Sequence, residues 1–301
     1  MMKVWKTISG SSCMKWPAMG YERAKSLAEL WSVMETRGSA AQIIAGGQTL
    51  LATLAFRLSE PAILVDITGI PELRGISLQG QALRIGALTL HADLCRDPLV
   101  KTHAPLLAAA APLIAHPAIR NRGTIGGSLA YADPAAELPA CMVALEATII
   151  TASAKGQRRI PAAGFFTDLL QTALEPQEII AAIDIPLSKR LSAIEEIARR
   201  SGDYAMAGLA ATLHLEAGRV IDPCLVYFGV GKMPVVAAAA AQALEGRSLD
   251  RASISAAQAA LAEDLDPPSD LHGPPEMKRH LARVLTERVL QGFLREKVQA
   301  A

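Results

Sequence analysis

Paired glycines constrain this chain more than any other feature. They occur in two short segments, Ala45-Gly46-Gly47-Gln48-Thr49 and Thr124-Ile125-Gly126-Gly127-Ser128. Each follows apolar sequence, and each pairs the glycines with a small hydroxyl residue. Adjacent glycines admit positive φ, so successive backbone N–H groups can converge on an anion, and the missing Cβ lets a ligand approach the main chain. Two such turns predict a grip on the two phosphates of one dinucleotide. Neither fits G-x-G-x-x-G or G-x-x-x-x-G-K-[ST], so the two common nucleotide folds are not implied. Taken singly, the first segment also reads as a tight strand-to-helix turn and the second as a β-turn.

Charge and cysteine usage narrow the function classes. Thirty Lys and Arg against 29 Asp and Glu leave a formal charge of +1, which argues against nucleic acid as a partner. No apolar stretch is long enough to span a membrane. Lys3 and Lys6 are not followed by an apolar run, so export is not expected and a cytoplasmic chain is. Cys13, Cys95, Cys141 and Cys224 form no C-x-x-C pair, which leaves iron–sulfur and zinc ligation unsupported here. The histidines show no metal spacing, and His91 and His103 read as surface or cap residues. At 301 residues, 51% of them apolar, the chain is long enough for two or three domains.

The hydrophobic pattern predicts a helix over 26–35, strands over 42–45 and 63–67, and a helix or irregular turn between them. Further strands are expected over 83–87, 147–150 and 179–185. Thr89 is expected to cap a helix reaching Leu94, and 106–115 to be helical. Asp133-Pro134 is expected to cap and open a helix ending near Leu145. Beyond Ser188 come apolar segments over 205–215 and 220–230 with Gly218 as the turn, then helices over 234–244, 251–263 and 276–297. On the last helix Met277, Leu281, Val284, Leu285 and Phe293 are expected on one face.

The runs Ile119-Arg120-Asn121-Arg122-Gly123-Thr124-Ile125-Gly126-Gly127-Ser128 and Ala132-Asp133-Pro134-Ala135-Ala136-Glu137-Leu138-Pro139 closely resemble the FAD-binding medium subunit of molybdenum hydroxylases. That family is similar to the carbon monoxide dehydrogenase medium subunit and the xanthine dehydrogenase flavin domain. Ala45 to Thr49 with Leu50-Leu51, Leu64-Val65-Asp66-Ile67, Arg200-Ser201-Gly202-Asp203-Tyr204-Ala205 and Phe228-Gly229-Val230-Gly231 extend the resemblance over about residues 20–297. It implies an α+β fold: a two-subdomain PCMH-type FAD-binding domain, of the vanillyl-alcohol oxidase and MurB-like type, then a C-terminal α+β flavoprotein domain. The expected divisions are an N-terminal extension 1–19, subdomains 20–67 and 68–187, and the C-terminal domain 188–301.

The resemblance also implies an electron-transfer oxidoreductase subunit. FAD would be bound without covalent attachment. A large partner would carry the molybdenum cofactor and a small one the 2Fe-2S clusters, in a dimer of heterotrimers. The missing cysteine clusters agree with that division and argue against the benzoyl-CoA reductase branch. The implied cofactor residues are Ala45, Gly46, Gly47, Gln48, Thr49, Leu50, Thr124, Gly126, Gly127, Ser128, Glu137, Ile180, Asp203 and Tyr204, with no catalytic or metal residue. Glu137 would meet a sugar or ribityl hydroxyl, or else be a first-turn acid favoured by its helix. Ile180 would pack near adenosine or serve as core, and Tyr204 would approach the flavin or pack half-buried. Near the flavin face, where some relatives carry an aromatic, this chain has Ile194. The alternatives are a self-sufficient FAD oxidoreductase of the same fold and a flavin-free scaffold.

Overall fold

The computed structural model describes residues 16–300, with only the helical backbone for 296–300. Of the expected N-terminal extension 1–19, residues 1–15, Cys13 among them, lie outside the described residues.

Three sheets follow one another along the chain. The first is built from β1 (Gly20–Arg23), α1 (Leu27–Arg37), β2 (Ala41–Ile44), α2 (Leu50–Ala55) and β3 (Ile63–Asp66), with parallel strand order β1-β3-β2. Parallel neighbours need a crossover, and the segment carrying α2 supplies the one from β2 to β3. Ser26 caps α1 by accepting the Glu29 N–H at 3.2 Å, and Gly38, at φ 53°, ends it. Leu30, Met34, Val65, Ile67 and Ile70 form the core beneath, which continues onto Leu88 and Ile179 of the next unit.

The second unit opens with β4 (Ile76–Gln79) and β5 (Ala82–Gly86). Six short helices follow: α3 (His91–Leu94), α4 (Pro98–His103), α5 (Pro105–Ala110), α6 (Pro117–Arg120), α7 (Ile125–Tyr131) and α8 (Glu137–Ala144). Then come β6 (Thr148–Ser153), β7 (Gly156–Pro161), the small hairpin β8 (Phe166–Asp168) and β9 (Gln171–Thr172), and β10 (Ile179–Pro186). The main sheet is antiparallel, in the order β4-β5-β10-β6-β7. Ile179 to Ile185 is buried without a break, as a central strand covered on both faces must be. Its one carboxylate, Asp184, is held by Arg84 at 2.6 and 2.7 Å and by Arg159 at 3.0 Å.

The third unit contains β11 (Leu191–Ile197), β12 (Ala207–Glu216), β13 (Arg219–Phe228), β14 (Val235–Val236), α9 (Ala238–Leu244), α10 (Arg251–Asp264) and α11 (Pro275–Ala300). Ala217 and Gly218 join β12 to β13 with φ of 48° and 81°, the left-handed pair that a two-residue hairpin needs. Helix α8 joins this unit to the second. It is buried from Leu138 through Ala144, and Thr212 on β12 donates its hydroxyl to the Ala144 carbonyl at 3.1 Å.

Several expectations need correcting. The helix expected over 106–115 stops at Ala110. The Arg120 guanidinium takes up the carbonyls of Pro112, Ile114 and Ala115, and Ala115 sits at φ 40°. Thr89 does not cap α3: Leu90 holds that position, and the Thr89 carbonyl instead accepts the Ile125 N–H. Strands β1, β4, β7 and β11 were not anticipated. On α11 the buried face carries Lys278, Ala282, Leu285, Thr286, Val289, Leu290 and Phe293, rotated from the expected one. Lys278 tolerates burial because its ammonium donates to the Gly229 carbonyl at 2.9 Å and to Asp270 at 2.5 Å.

Glu178, at the start of the β10 segment, gives an acid-stability test. Burial alone would raise its carboxyl, but Arg158, the Glu175 N–H and the Thr151 hydroxyl together bring it down to about 2. Its contribution is therefore complete above the ordinary carboxylate range and is lost as pH falls through about 2. Thermal melts between roughly pH 5 and 2 are expected to lose part of their acid slope in Glu178→Gln, a change of about 2 kcal/mol.

Candidate functional site

The two glycine segments meet. A Cβ on Gly46 would lie 2.1 Å from the Arg122 carbonyl oxygen and 3.0 Å from Gly123 Cα, so the loop leaving β2 rests directly on the chain entering α7. A Cβ on Gly123 would in turn lie 3.0 Å from both Cε1 and Nδ1 of His91. The three residues thus form a stack with no spare volume. Gly126 is pressed equally hard on another side, where its Cβ would fall 2.6 Å from that of Ala87. At Gly47 the requirement is conformational: its φ is 73°.

The donors of the two segments differ. Among the described residues the amides from Gly46 to Leu50 meet no acceptor, and neither does the Thr49 hydroxyl. Gln48 folds its side-chain amide onto the Gly46 carbonyl at 3.1 Å, which leaves the outer face of the turn open. In the second segment the amides are already used. Ile125 donates to Thr89 O, Gly126 to Ala87 O at 2.8 Å, Gly127 to the Thr124 hydroxyl and Ser128 to Thr124 O. The expectation of two equivalent amide cradles is therefore corrected. The first segment offers backbone donors, whereas the second is the capped start of α7, docked onto the end of β5. It presents the exposed Gly127 and the half-buried Ser128 at its surface.

A second group of expected residues gathers where α7, α8 and the third unit meet. Glu137 is the first residue of α8, with Ala136 as its N-cap. Asp133 does not cap this helix: its carboxylate accepts the Ala135 N–H at 2.9 Å and closes the turn before it. Burial pushes the Glu137 carboxyl up to about 8, helped by the charges of Glu196 and Asp133. Glu137 is a first-turn acid, as one of its two readings had it, but desolvation outweighs the dipole and favours its protonated form. Glu196 on β11, which the sequence reading missed, is raised by burial to about 7, and its Oε2 is buried with no partner. Asp203 is exposed in the turn that donates to the Arg200 carbonyl, and the Tyr204 ring is 58% exposed. The Gly229 N–H ties the third unit to this turn by donating to Pro134 O at 2.7 Å.

One expected residue lies elsewhere. Ile180 is buried at a bulge in β10, in the core of the second unit, as its alternative reading had it. His91 is not a surface or cap residue. It is 6% exposed, burial lowers its imidazole to about 4 against the opposing pull of the Thr124 backbone, and among the described residues neither ring nitrogen makes a well-formed hydrogen bond. A cavity of about 190 Å³ at the far end of the seam is lined by His103, Arg190, His214 and Asp222 and by none of the expected residues. Among the described residues no group of three His, Cys, Asp or Glu is placed to hold a metal ion, and no helix is long and apolar enough to cross a membrane. The chemistry on offer is that of anion and hydroxyl recognition, with open amides on the first turn and two carboxyls whose ionisation burial delays, Glu137 until about 8 and Glu196 until about 7.

Known proteins resemble this chain in sequence and fold. Residues 17–188 match the family model described as the FAD binding domain in molybdopterin dehydrogenase, and residues 192–293 that of the CO dehydrogenase flavoprotein C-terminal domain. The chain is 38% identical over 280 residues to the 6-hydroxypseudooxynicotine dehydrogenase complex subunit alpha of Paenarthrobacter nicotinovorans, covering 92% of this chain and 95% of that one. It is 35% identical over 276 residues to the carbon monoxide dehydrogenase medium chain of Hydrogenophaga pseudoflava, covering 91% and 96%. Among solved structures, quinoline 2-oxidoreductase from Pseudomonas putida 86 superposes with a TM-score of 0.89 at 38% identity, covering 93% of this chain and 98% of that one.

Two outcomes are expected. Gly46→Ala and Gly126→Ala each force backbone apart and cost about 1–3 kcal/mol, whereas Gly127→Ala, facing only the Thr124 hydroxyl at 3.0 Å, costs less than either. Calorimetric melting of the three variants checks the ranking. For Glu137, whose folded value lies above its ordinary 4.5, the stabilising contribution is complete below that pH and lost as pH rises through about 8. Glu137→Gln is expected to flatten the decline in melting temperature between those limits.

Proposed function

Because this chain belongs to the FAD-binding medium subunits of the molybdenum hydroxylase family, we propose that it carries electrons from iron–sulfur centres of a partner to an external acceptor. The observation that carries this reading is the open run of amides from Gly46 to Leu50, lying against the second glycine segment. Backbone donors without protein acceptors, held where no Cβ fits, suit a diphosphate.

In this reading Ala45, Gly46, Gly47, Gln48, Thr49 and Leu50 hold the diphosphate of FAD from one side. Thr124, Gly126, Gly127 and Ser128 form the facing wall. Gly126 acts there by its lack of bulk, and Ser128 by its hydroxyl. Glu137, protonated at neutral pH, can donate to a ribityl or sugar hydroxyl as well as accept from one. Asp203 and Tyr204 border the redox ring, and Ile180 supports the wall from within the core. FAD, when bound, supplies the one- and two-electron chemistry, while the chain binds, orients and shields it. No residue here acts as acid or base on the organic substrate, which falls to the partner.

The partners are a large subunit with the molybdenum cofactor and a small one with 2Fe-2S clusters, assembled as a dimer of heterotrimers in the cytoplasm. The medium-chain and complex-subunit names of the relatives support this assembly.

Purified complex is expected to contain about one FAD per copy of this chain, released by denaturation without proteolysis. Gly47→Val, which places a β-branched residue at φ 73° against Leu51 and Ile44, is expected to lower that content severalfold. Unchanged flavin in the variant contradicts the assignment of the turn. A complex lacking flavin altogether, or purifying without molybdenum and iron, contradicts the function.

A further inference from the structure

We propose that His91 is a positioning residue of the cofactor site: its imidazole sets the height of Gly123 against Gly46, and a ring nitrogen bonds the Thr124 backbone when the diphosphate is gripped. The inference rests on the diphosphate reading of the glycine turns and extends it to a residue one layer below them.

Three observations converge on the imidazole. Its Cε1–Nδ1 edge faces Gly123, whose other side receives Gly46, so any change in the thickness of this ring is transmitted to the first glycine turn. Its own backbone N–H donates to the Gly123 carbonyl at 3.0 Å, which fixes the ring's root to the same segment. Both ring nitrogens are buried without a well-formed hydrogen bond among the described residues, the Thr124 backbone acting on the ring only weakly. Such burial is costly, and an apolar residue of similar volume fills the space without that cost. A neutral imidazole kept there at a loss to the fold therefore has work for a nitrogen. The nearest backbone group acting on it is Thr124, whose carbonyl takes the Ser128 N–H and keeps a second lone pair free. Thr124 also opens α7 and caps it through its hydroxyl, so a bond from His91 to its carbonyl holds the facing wall in register. Arg120, the nearby cation, favours the neutral ring.

The test separates this role from packing. Complex purified with the wild-type chain is stripped of flavin, retitrated with FAD, and compared with His91→Leu and His91→Asn. In His91→Leu, close to histidine in volume, the flavin-free protein is expected to melt at or above the wild-type temperature, while FAD affinity falls at least tenfold. His91→Asn, which keeps a polar group near Nδ1, is expected to recover part of that affinity. Flavin-free His91→Leu that melts well below wild type or fails to fold shows a packing role and overturns the proposal. So does FAD affinity equal to wild type, or His91→Asn as weak as His91→Leu. If the wild-type complex itself fails to take up FAD, the diphosphate reading falls first; if it binds FAD and His91→Leu binds equally, only the positioning role falls.

Discussion

The rest of the site depends on one contact between two backbones. Gly46 and the Arg122 carbonyl lie so close that a single methyl group on Gly46 would occupy the oxygen's position. The loop after β2 and the turn between α6 and α7 are thereby joined without side chains between them. The joint sets how far apart the open amides of the first turn and the exposed face of α7 can be. Below it, Gly123 rests on His91; beside it, Gly126 rests on Ala87. Three glycines thus act as spacers of zero thickness, and the fourth, Gly47, turns the chain.

The electrostatics agree with that geometry. The open amides bring partial positive charge to a place where the adjoining protein supplies no competing acceptor. The carboxyls at the start of α8 and on β11 are kept largely protonated by burial, Glu137 until about 8 and Glu196 until about 7. Mutual repulsion among Asp133, Glu137 and Glu196 pushes the same way as desolvation. Helix α8, buried on all sides, carries Glu137 at one end and is hydrogen-bonded by Thr212 at the other, so the carboxyl's place is set by two units at once.

Much of this was legible in the residues, and the parts that were not share a cause. Glycine pairs, apolar periodicity and turn residues are local signals, so the two loops, β3, β10, the β12–β13 hairpin and α10 could be read directly. The fate of an amide is not local. Whether Gly126 donates outward or inward depends on Ala87, far away in sequence, and the two glycine segments look alike until that partner is known. Strand β7, Gly-Gln-Arg-Arg-Ile-Pro, has no apolar alternation because its face is solvated and its arginines serve Asp184 and Glu178 on β10 and at its start. His91, Glu196 and Lys278 were missed for one reason: polar residues are expected outside, and each is buried by a neighbour that only the folded chain brings near. The pair Glu195-Glu196, set in an otherwise apolar strand, was the one available hint.

Lys278 gives the terminal helix a reach that its position in the chain conceals. Its ammonium grips the Gly229 carbonyl, and the Gly229 amide grips Pro134, so α11 is coupled through two hydrogen bonds to the turn that carries Asp133. In mechanical terms this is a short lever with its fulcrum at residue 229. Removing the Lys278 ammonium therefore frees the Gly229 carbonyl and reaches, through its amide, the Pro134 turn as well as the start of the helix.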